Sequence, residues 1–382
     1  MNSERIYLDH AATTPLRPQV ADAMRIAFAE SGFNPSSLHS EGRRARAVLD
    51  DARDRVAAVL GARRTEIIFT SSGTEADNQA ILGVARAARR PGHALAAATE
   101  HHAVLASFEQ LNAEGFETTL LPVESDGTVR PATFANALRA NTVVASIMYV
   151  NNEIGTVQPI AELARLARLR GVLFHCDAIQ APSWLPIDAS TLGVDLLSLS
   201  AHKFGGPKGV GILYARDGVA LSPLVHGGGQ ESGRRAGTEN VAGAVALATA
   251  LELAADEQAQ TSLQIAELRD RLEEGIRSAV SDVRVNGASA LRAPNIASLS
   301  FAGIDSTAML IALDLAGIAV SAGSACTSGA LEPSHVLAAL GLDAVWTRGA
   351  IRFSLGASTT AREVERTVSV LPGLVARLRG KG

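Results

Sequence analysis

The sequence predicts an α/β protein built on a mostly parallel sheet that helices cover on both faces. Segments with helical periodicity alternate with short apolar runs through the first two thirds of the chain. These runs are too short for helices and lack polar alternation, as expected of strands that are buried on both faces. The last third of the chain changes pattern and predicts a smaller α+β unit.

The elements follow one another along the chain. Helices are predicted at 18–30, 42–61, 74–90, 160–171 and 241–279, and strands at 66–71, 93–99, 142–150, 172–178, 196–200 and 209–216. Gly61 ends the second helix, and Pro91 stops the third. The smaller unit is predicted to contain strands at 293–301, 319–323 and 349–356 and a helix at 306–317.

The length of 382 residues indicates two or three domains. We place a boundary near residue 255, inside the long helical stretch, because the strand–helix alternation ends there. This gives a large domain of residues 16–255 and a small domain of residues 1–15 and 256–382. The chain is 47% hydrophobic and 19% charged, which is ordinary for a globular enzyme with a large core.

Composition argues against several classes of partner. The net charge is −4 and there is no basic run, so neither nucleic acid nor a membrane surface is an expected partner. No apolar run approaches the roughly 20 residues of a spanning helix, and residues 1–16 lack the apolar core of a secretory signal. Two cysteines without a disulfide framework fit a reducing compartment, so we expect a cytoplasmic protein.

Polar residues follow the predicted strand ends, where open α/β sheets bind ligands. The strand at 66–71 runs into Ser-Ser-Gly-Thr before a helix. Gly73 allows a tight turn there, and Thr74 is predicted as the helix N-cap. The N–H groups of such a helix start favour a phosphate, although a capped helix without a ligand explains the same residues equally well.

Asp177 and Lys203 follow two other strand ends. A carboxylate at the end of an apolar strand is costly unless a cation pairs with it, either a protonated pyridine nitrogen or a structural arginine. Lys203 is either an ordinary surface lysine beside a turn or a desolvated nucleophile toward a carbonyl. A metal site at His175, Cys176 and Asp177 is not expected, because consecutive strand residues face opposite ways.

Asn152 and His101 lie at two further strand ends. Asn152 can donate or accept hydrogen bonds, and His101 can stack on a ring or move protons, while a turn and a helix cap are the simpler explanations. Taken together, a phosphate cradle, an acid for a ring nitrogen, a Schiff-base lysine and a stacking histidine predict a pyridoxal phosphate pocket.

Cys326 lies in SAGSACTSGA, residues 321–330, among small residues. A cysteine kept for packing would have large apolar neighbours, and a disulfide cysteine would need a partner. Neither role fits these small neighbours, so the purpose of this thiol stays open from the residues alone. The other cysteine, Cys176, lies inside a predicted strand and is interpreted as a small buried hydrophobe.

With these residues in view, the chain resembles the cysteine desulfurases, in the class V branch of the fold-type I aminotransferases, over nearly its whole length. The stretches that carry the resemblance are FTSSGTEADN (69–78), EHHAVL (100–105), NNEIG (151–155), SAHKFGGPKG (200–209), HGGGQESGRRAGTEN (226–240) and GSACTSGALEPSHVL (323–337). The resemblance implies a fold-type I architecture, with a mostly parallel seven-stranded sheet in the large domain and a smaller α+β domain. One departure is Cys176, where the family often has a small aliphatic residue or threonine.

The resemblance also implies roles for individual residues. Lys203 would carry pyridoxal 5'-phosphate as a Schiff base, and His101 would stack on its ring and act in catalysis. The other cofactor contacts would be Gly73, Thr74, Asn152, Asp177, Gln180, Ser200, His202 and, from the neighbouring subunit of a homodimer, Thr238. Asn152 and Arg352 would hold the substrate carboxylate, because the planar guanidinium matches two oxygens.

The implied reaction removes sulfur from L-cysteine and leaves L-alanine. Lys203 would move the Cα proton, and the thiolate of Cys326 would attack the substrate sulfur and become a persulfide. The persulfide would then pass to an acceptor such as an iron–sulfur scaffold protein. No resident metal is implied, only a transient contact of Cys326 with an iron–sulfur cluster on a partner.

Other functions remain open from the residues alone. An aminotransferase or a selenocysteine lyase of the same fold would keep the cofactor. Transamination needs no thiol, whereas a selenocysteine lyase could share Cys326. A non-catalytic sulfur-relay protein is a third alternative, and the intact set of Lys203, Asp177, His101 and Cys326 argues against it.

Overall fold

The computed structural model describes residues 5–88, 90–323 and 334–380. Its helices are α1 (Pro18–Ser31), α2 (Ser40–Val59), α3 (Gly73–Ala87), α4 (His102–Ala113), α5 (Pro131–Ala137), α6 (Ile160–Leu169), α7 (Ala189–Leu192), α8 (Val241–Ala279), α9 (Ser306–Leu315), α10 (His335–Ala339), α11 (Ala344–Thr347) and α12 (Ala361–Arg379). Its strands are β1 (Ile6–Tyr7), β2 (Ile67–Thr70), β3 (His93–Ala97), β4 (Glu117–Leu121), β5 (Thr142–Ser146), β6 (Leu173–Asp177), β7 (Leu196–Ser200), β8 (Gly211–Ala215), β9 (Val283–Val285), β10 (Ile296–Phe301), β11 (Ile318–Ala319) and β12 (Ala350–Ser354).

The main sheet has seven strands in the order β2-β8-β7-β6-β5-β3-β4. Strands β3 to β7 pair in parallel, and only β8 runs antiparallel to its two neighbours, β2 and β7. The predicted mostly parallel seven-stranded sheet is therefore confirmed. The inner strands β3 and β7 are buried at every residue, which explains why they are apolar without alternation.

Two smaller sheets lie outside the main one. Strands β12, β10 and β9 form an antiparallel sheet, and β1 pairs in parallel with β11 through Ile6 and Ile318. Asp9, just after β1, forms an isolated bridge with Ser354 at the end of β12. The N-terminal residues therefore pack with the C-terminal part of the chain, so residues next to β1 can reach the same region as residues of β12.

Helix α8 connects two hydrophobic cores. Leu247 and Leu251 belong to a core that includes residues of the main sheet, whereas Leu272 and Ile276 belong to a core formed with β10 and β12. None of residues 255–264 in this helix is buried. The division of the chain at residue 255 remains a prediction, and the two cores are its physical support.

Candidate active site

A cavity of about 350 Å³ lies beyond the carboxyl ends of β3, β5, β6 and β7. This edge is where parallel α/β sheets bind ligands. Ten of the residues proposed from the sequence line it: Gly73, Thr74, His101, Asn152, Asp177, Gln180, Ser200, His202, Lys203 and Arg352. Residues that are more than 270 positions apart in the chain thus meet at one site, because the sheet order and the β12 sheet bring them there.

Two further residues were proposed for the site, Thr238 and Cys326. Thr238 is exposed in the segment before α8, outside the cavity. Cys326 lies outside the described residues, within 324–333. His335, which follows this segment closely, does line the cavity.

The start of α3 forms one wall of the cavity. The predicted N-cap at Thr74 is wrong by two positions: the side chain of Ser72 accepts the hydrogen bond from the Glu75 amide at 3.1 Å. Ser72 is the cap because α3 already begins at Gly73, which places Thr74 inside the first helical turn. An added Cβ at Gly73 would lie 2.3 Å from Ile179 Cδ1 and 3.1 Å from Ser200 Cβ, so glycine leaves room for these neighbours. The first-turn N–H groups of α3 make this wall suitable for a phosphate.

Asp177 ends β6 and is only 5% exposed. Its Oδ1 accepts a hydrogen bond from the Ile179 amide at 3.0 Å. Burial raises the pKa of Asp177 to about 6, although that hydrogen bond and the positive charge of Lys203 act in the opposite direction. A cationic group in the cavity would keep this carboxylate ionised.

Lys203 follows β7 in a short 3₁₀ turn and points into the cavity. Its Nζ donates hydrogen bonds to the carbonyl oxygens of Ala11 at 2.6 Å and Ala12 at 2.9 Å. Gln180 Nε2 donates to the same Ala11 oxygen at 2.9 Å. The segment after β1 therefore holds the amine and the amide side by side, a role of residues 11 and 12 that was not predicted.

Two histidines of the cavity are held neutral. Burial, and secondarily the charge of Lys203, lowers the pKa of His101 to about 4, and the same causes lower the pKa of His202 to about 4. His101 caps α4, since its Nδ1 accepts from the Ala103 amide at 3.1 Å. The proton of its neutral ring is therefore on Nε2, so the predicted cap and a functional ring coexist in one side chain.

Arg352 occupies the opposite side of the cavity on β12 and is 2% exposed. Its Nη1 donates to the Asn152 carbonyl oxygen at 2.8 Å, and its Nη2 donates to Asp9 Oδ1 at 2.9 Å. Its Nε is buried and has no hydrogen-bond partner among the described residues. A guanidinium with donor capacity left in a buried cavity is suited to bind a carboxylate.

A buried polar cluster lies behind Asp177, and sequence reasoning did not predict it. His175 bonds through Nδ1 to Ser146 Oγ at 2.8 Å and through Nε2 to Ser198 Oγ at 2.9 Å. Burial lowers the pKa of His175 to about 3. Burial and the nearby charge of Asp177 also raise the pKa of Asp77, a fully buried residue of α3. The signal that could have found this cluster is polar residues inside otherwise apolar strands.

The described residues hold no cluster of three or more histidine, cysteine, aspartate or glutamate side chains that could bind a metal ion. Across residues 5–88, 90–323 and 334–380, no helix is long and apolar enough to cross a membrane. Cys176 is fully buried on β6, as its position in an apolar strand predicted.

Comparison with known proteins assigns the family. Residues 6–367 match Aminotransferase class-V. A cysteine desulfurase named IscS from Dictyoglomus turgidum is 47% identical over 375 residues, covering 98% of this chain and 95% of that protein. A solved structure titled as a NifS-like protein matches with a TM-score of 0.92 and 36% identity, over 98% of this chain and all of that chain. Another, titled "SspA in complex with cysteine", matches with a TM-score of 0.82 and 34% identity, over 93% of this chain and all of that chain. The chain therefore belongs to the aminotransferase class-V family and, within it, to the cysteine desulfurases.

Proposed function

We propose that this protein takes sulfur from L-cysteine, releases L-alanine and holds the sulfur as a persulfide on Cys326. The observation that carries the proposal is the placement of Lys203, Asp177 and Arg352 in one cavity. The buried carboxylate can pair with a cationic ring, and the buried guanidinium can bind the carboxylate of an amino acid. The amine can bond covalently to a carbonyl of the cofactor. The relatives named above, one of them solved with cysteine, support cysteine as that amino acid.

The class V family depends on pyridoxal phosphate, and this cavity fits it. Lys203 would bind the cofactor covalently, Asp177 would pair with its ring nitrogen and His101 would lie on its ring face. The phosphate would be held by Gly73, Thr74, Ser200 and His202, and the phenolic oxygen by Gln180. Asp177 supports this assignment most directly, because a nearly buried carboxylate at the cavity wall requires a cationic partner.

Bound pyridoxal phosphate withdraws electrons from the substrate and makes its Cα proton acidic. Arg352 and Asn152 hold the substrate carboxylate, which fixes the direction of the Cα–H bond. Lys203, once its amine is released, takes up the Cα proton. His101 keeps its proton on Nε2, because its Nδ1 accepts the hydrogen bond of the Ala103 amide.

Cys326 completes the reaction as a thiolate nucleophile. It attacks the substrate sulfur, so an S–S bond forms while the substrate C–S bond breaks. The electron pair of the broken bond stays on carbon, which takes up a proton and ends as the methyl group of alanine. Two thiols thus give one persulfide and one alanine without an added oxidant or reductant.

We further propose a cytoplasmic homodimer that passes its sulfur to an iron–sulfur scaffold or another acceptor protein. Thr238 supports the dimer, because it is exposed and lies outside the cavity of its own chain. In a dimer it would reach the phosphate of the neighbouring subunit's cofactor. The composition argues against nucleic-acid and membrane partners.

Mass spectrometry of the purified protein after brief incubation with cysteine tests the function. We expect a gain of one sulfur atom on the peptide that contains Cys326, removal of that sulfur by a reductant, and one alanine per sulfur. Amino transfer to a keto acid without sulfur on Cys326 would instead identify an aminotransferase. Faster turnover of selenocysteine than of cysteine at equal concentration would identify a selenocysteine lyase.

A further inference from the structure

The segment of residues 226–240 leads into α8 and carries Thr238, and we call it the Thr238 loop. The function proposed above uses only Thr238 from this loop. The loop also contains a strained turn, and three of its charged residues form ion pairs with other parts of the fold: Glu231, Arg235 and Glu239. The turn and the ion pairs therefore need an explanation of their own.

The turn at Gln230–Gly233 has an unfavourable backbone. Glu231 has a φ of 48° and Ser232 a φ of 58°, and Gly233 follows with a φ of 78°. Residues other than glycine rarely adopt this left-handed region, and they persist there only where their surroundings hold them. In the described part of the chain, only one other non-glycine residue, Asp282, has a positive φ. Contacts around the turn must therefore offset its strain.

Arg53 of α2 holds this turn through the side chain of Glu231. Nη1 and Nη2 of Arg53 donate to Oε2 and Oε1 of Glu231, both at 2.7 Å. Glu231 Oε2 also accepts from the Phe69 amide at 3.1 Å, and Arg53 Nη1 donates to the Ile67 carbonyl oxygen at 2.8 Å. Arg53 is 9% exposed and Glu231 is 6% exposed. A buried two-bond pair anchored on β2 therefore fixes the position of the turn.

A second ion pair anchors the loop after the turn. Arg235 Nε lies 2.8 Å from Glu75 Oε1, and its Nη2 lies 3.2 Å from Glu75 Oε2. Glu75 is in the first turn of α3, which forms the wall suited to a phosphate. Gln79, one turn further along α3, donates from Nε2 to the Arg234 carbonyl oxygen at 2.7 Å. The loop is therefore fixed to α3 as well as to β2.

Thr238 lies at the end of this anchored stretch. Glu239 is 8% exposed and accepts a hydrogen bond from Arg46 Nη2 at 2.9 Å. On the other side, the Gly237 amide donates to Gln230 Oε1 at 3.1 Å. Both neighbours of Thr238 are thus held, whereas Thr238 itself is exposed. The loop presents this threonine to the outside on a well-anchored support.

Stability alone does not explain the pair of Arg53 and Glu231. Burying two charges costs free energy that can exceed their attraction, and apolar side chains of similar size often give an equally stable fold. The pair also holds two non-glycine residues in a strained conformation. Such an arrangement is expected where the direction of a nearby functional group matters.

We infer that Arg53 and Glu231 are positioning residues that hold the turn at 230–233 and thereby direct Thr238 toward the cofactor phosphate in the partner subunit. Neither residue lines the cavity of its own chain. The inference rests on the proposed function, which includes a homodimer and the role of Thr238. It adds a buried pair through which each subunit strengthens the cofactor binding of the other.

Binding of pyridoxal phosphate to the apoprotein homodimer is the first test. We expect Thr238→Ala to weaken binding about 10-fold, the effect of one hydrogen bond to a charged group, and Glu231→Gln to weaken it several-fold. The double variant should bind no more weakly than Thr238→Ala, because Glu231 acts through Thr238. Wild-type affinity in Glu231→Gln, or losses that multiply in the double variant, would overturn the inference.

Further substitutions show what the pair contributes. Arg53→Lys keeps the charge but not the planar fork, so it should also weaken binding, whereas a purely electrostatic role would be preserved. Arg44→Lys makes the same change at an exposed position of α2, and Glu109→Gln matches Glu231→Gln at an exposed position of α4. Both control variants should keep the wild-type affinity.

Mixed dimers decide whether Glu231 acts across the interface. Each contains one Lys203→Ala subunit, so borohydride can attach the cofactor covalently only to the other subunit. Glu231→Gln is on the Lys203→Ala subunit in the first dimer and on the subunit that keeps Lys203 in the second. We expect only the first dimer to need several-fold more cofactor for half-maximal labelling. Both dimers carry the same two substitutions, so a general loss of stability cannot produce this difference.

The possible results lead to different conclusions. Weaker labelling only in the second dimer would show that Glu231 acts within its own subunit and would overturn the inference, as would equal labelling of both dimers. Arg53→Lys replaces Glu231→Gln in the same comparison if the glutamine variant does not fold. Light scattering that shows only monomers would refute the proposed homodimer and this inference with it. Absence of persulfide after incubation with cysteine would refute the proposed reaction, while the mixed dimers would still decide the role of Glu231.

Discussion

Arg352 and Asp9 form an ion pair at the wall of the cavity, with Nη2 2.9 Å from Oδ1. Arg352 comes from β12, and Asp9 follows β1 at the other end of the chain. Together with the Asn152 carbonyl oxygen, Asp9 fixes the guanidinium plane before any substrate arrives. Because the side chain is already ordered, a bound carboxylate loses little additional conformational entropy.

Replacing Arg352 should therefore weaken cysteine binding. We expect Arg352→Ala to raise the KM for cysteine roughly 10- to 100-fold, which corresponds to about 1.5–3 kcal/mol for a charge-assisted hydrogen bond. Arg352→Lys keeps the charge without the planar fork, so its KM should fall between those of the wild type and Arg352→Ala. Steady-state kinetics of sulfide and alanine formation measure this. Arg348→Ala, at an exposed position beside α11, is the matched control, and an unchanged KM in Arg352→Ala would remove Arg352 from the carboxylate site.

Lys203→Ala should abolish covalent attachment of the cofactor. The sequence contains three lysines, at positions 203, 208 and 381, and Lys203 lines the cavity whereas Lys208 is exposed. Borohydride should bleach the visible absorbance of the wild-type protein, because it reduces the C=N bond to an amine, and the reduced cofactor should then stay covalently bound through denaturation. Lys203→Ala should retain no covalently bound cofactor after the same treatment. Lys208→Ala should behave as the wild type. Covalent label retained by Lys203→Ala would place the attachment elsewhere.

The two cysteines should separate cofactor binding from sulfur transfer. Cys326→Ala should keep the yellow cofactor and lose cysteine-dependent sulfide release, because only the proposed nucleophile is removed. Cys176→Ala should keep both properties, since Cys176 is fully buried on β6. Absorption spectra and sulfide assays of the two purified variants provide the comparison. Full sulfide release by Cys326→Ala would contradict the proposed role of this thiol.

Local patterns were sufficient to predict the elements whose sequences are most regular. Helix α8 begins and ends at the predicted residues 241 and 279, and the buried strand β7 coincides with 196–200. Strand β4 was not predicted, because it lies at the sheet edge and most of its residues are not buried, so its sequence ETTLL lacks a continuous apolar run. The cap of α3 was misplaced although a local signal was present, because Ser72 is followed three residues later by Glu75, which is the spacing of a capping box.

The residues of the candidate site also differ in whether a local sequence pattern could reveal them. Asp177, Lys203 and His101 could be found because each follows a recognisable strand end in the chain. Ala11 and Ala12 could not, because their roles depend on backbone oxygens that meet Lys203 across a long sequence separation. No spacing in the sequence reports which carbonyl a lysine amine will meet. Such contacts follow only from the packing of the two cores.

His175 should make the folded protein sensitive to acid. Burial lowers its pKa to about 3 in the folded state, against about 6.5 in an unfolded chain. Below pH 6.5 the unfolded chain therefore binds a proton that the folded protein excludes, so the free energy of unfolding falls as the pH falls from 6.5 toward 3. Between pH 6.5 and pH 4.5 this one group should remove about 2 kcal/mol of stability.

His175→Gln tests this contribution. The amide can still bond to Ser146 and Ser198 but cannot bind a proton in this pH range, so the variant should lose less stability on acidification than the wild type. Urea unfolding at pH 7, 5.5 and 4.5 measures how steeply the free energy of unfolding falls with pH in each protein. This comparison holds even if the variant is less stable at pH 7. His226→Gln, at an exposed position, should follow the wild-type curve. Equal pH dependence in His175→Gln and the wild type would show that His175 is protonated, or exposed to solvent, in the folded protein.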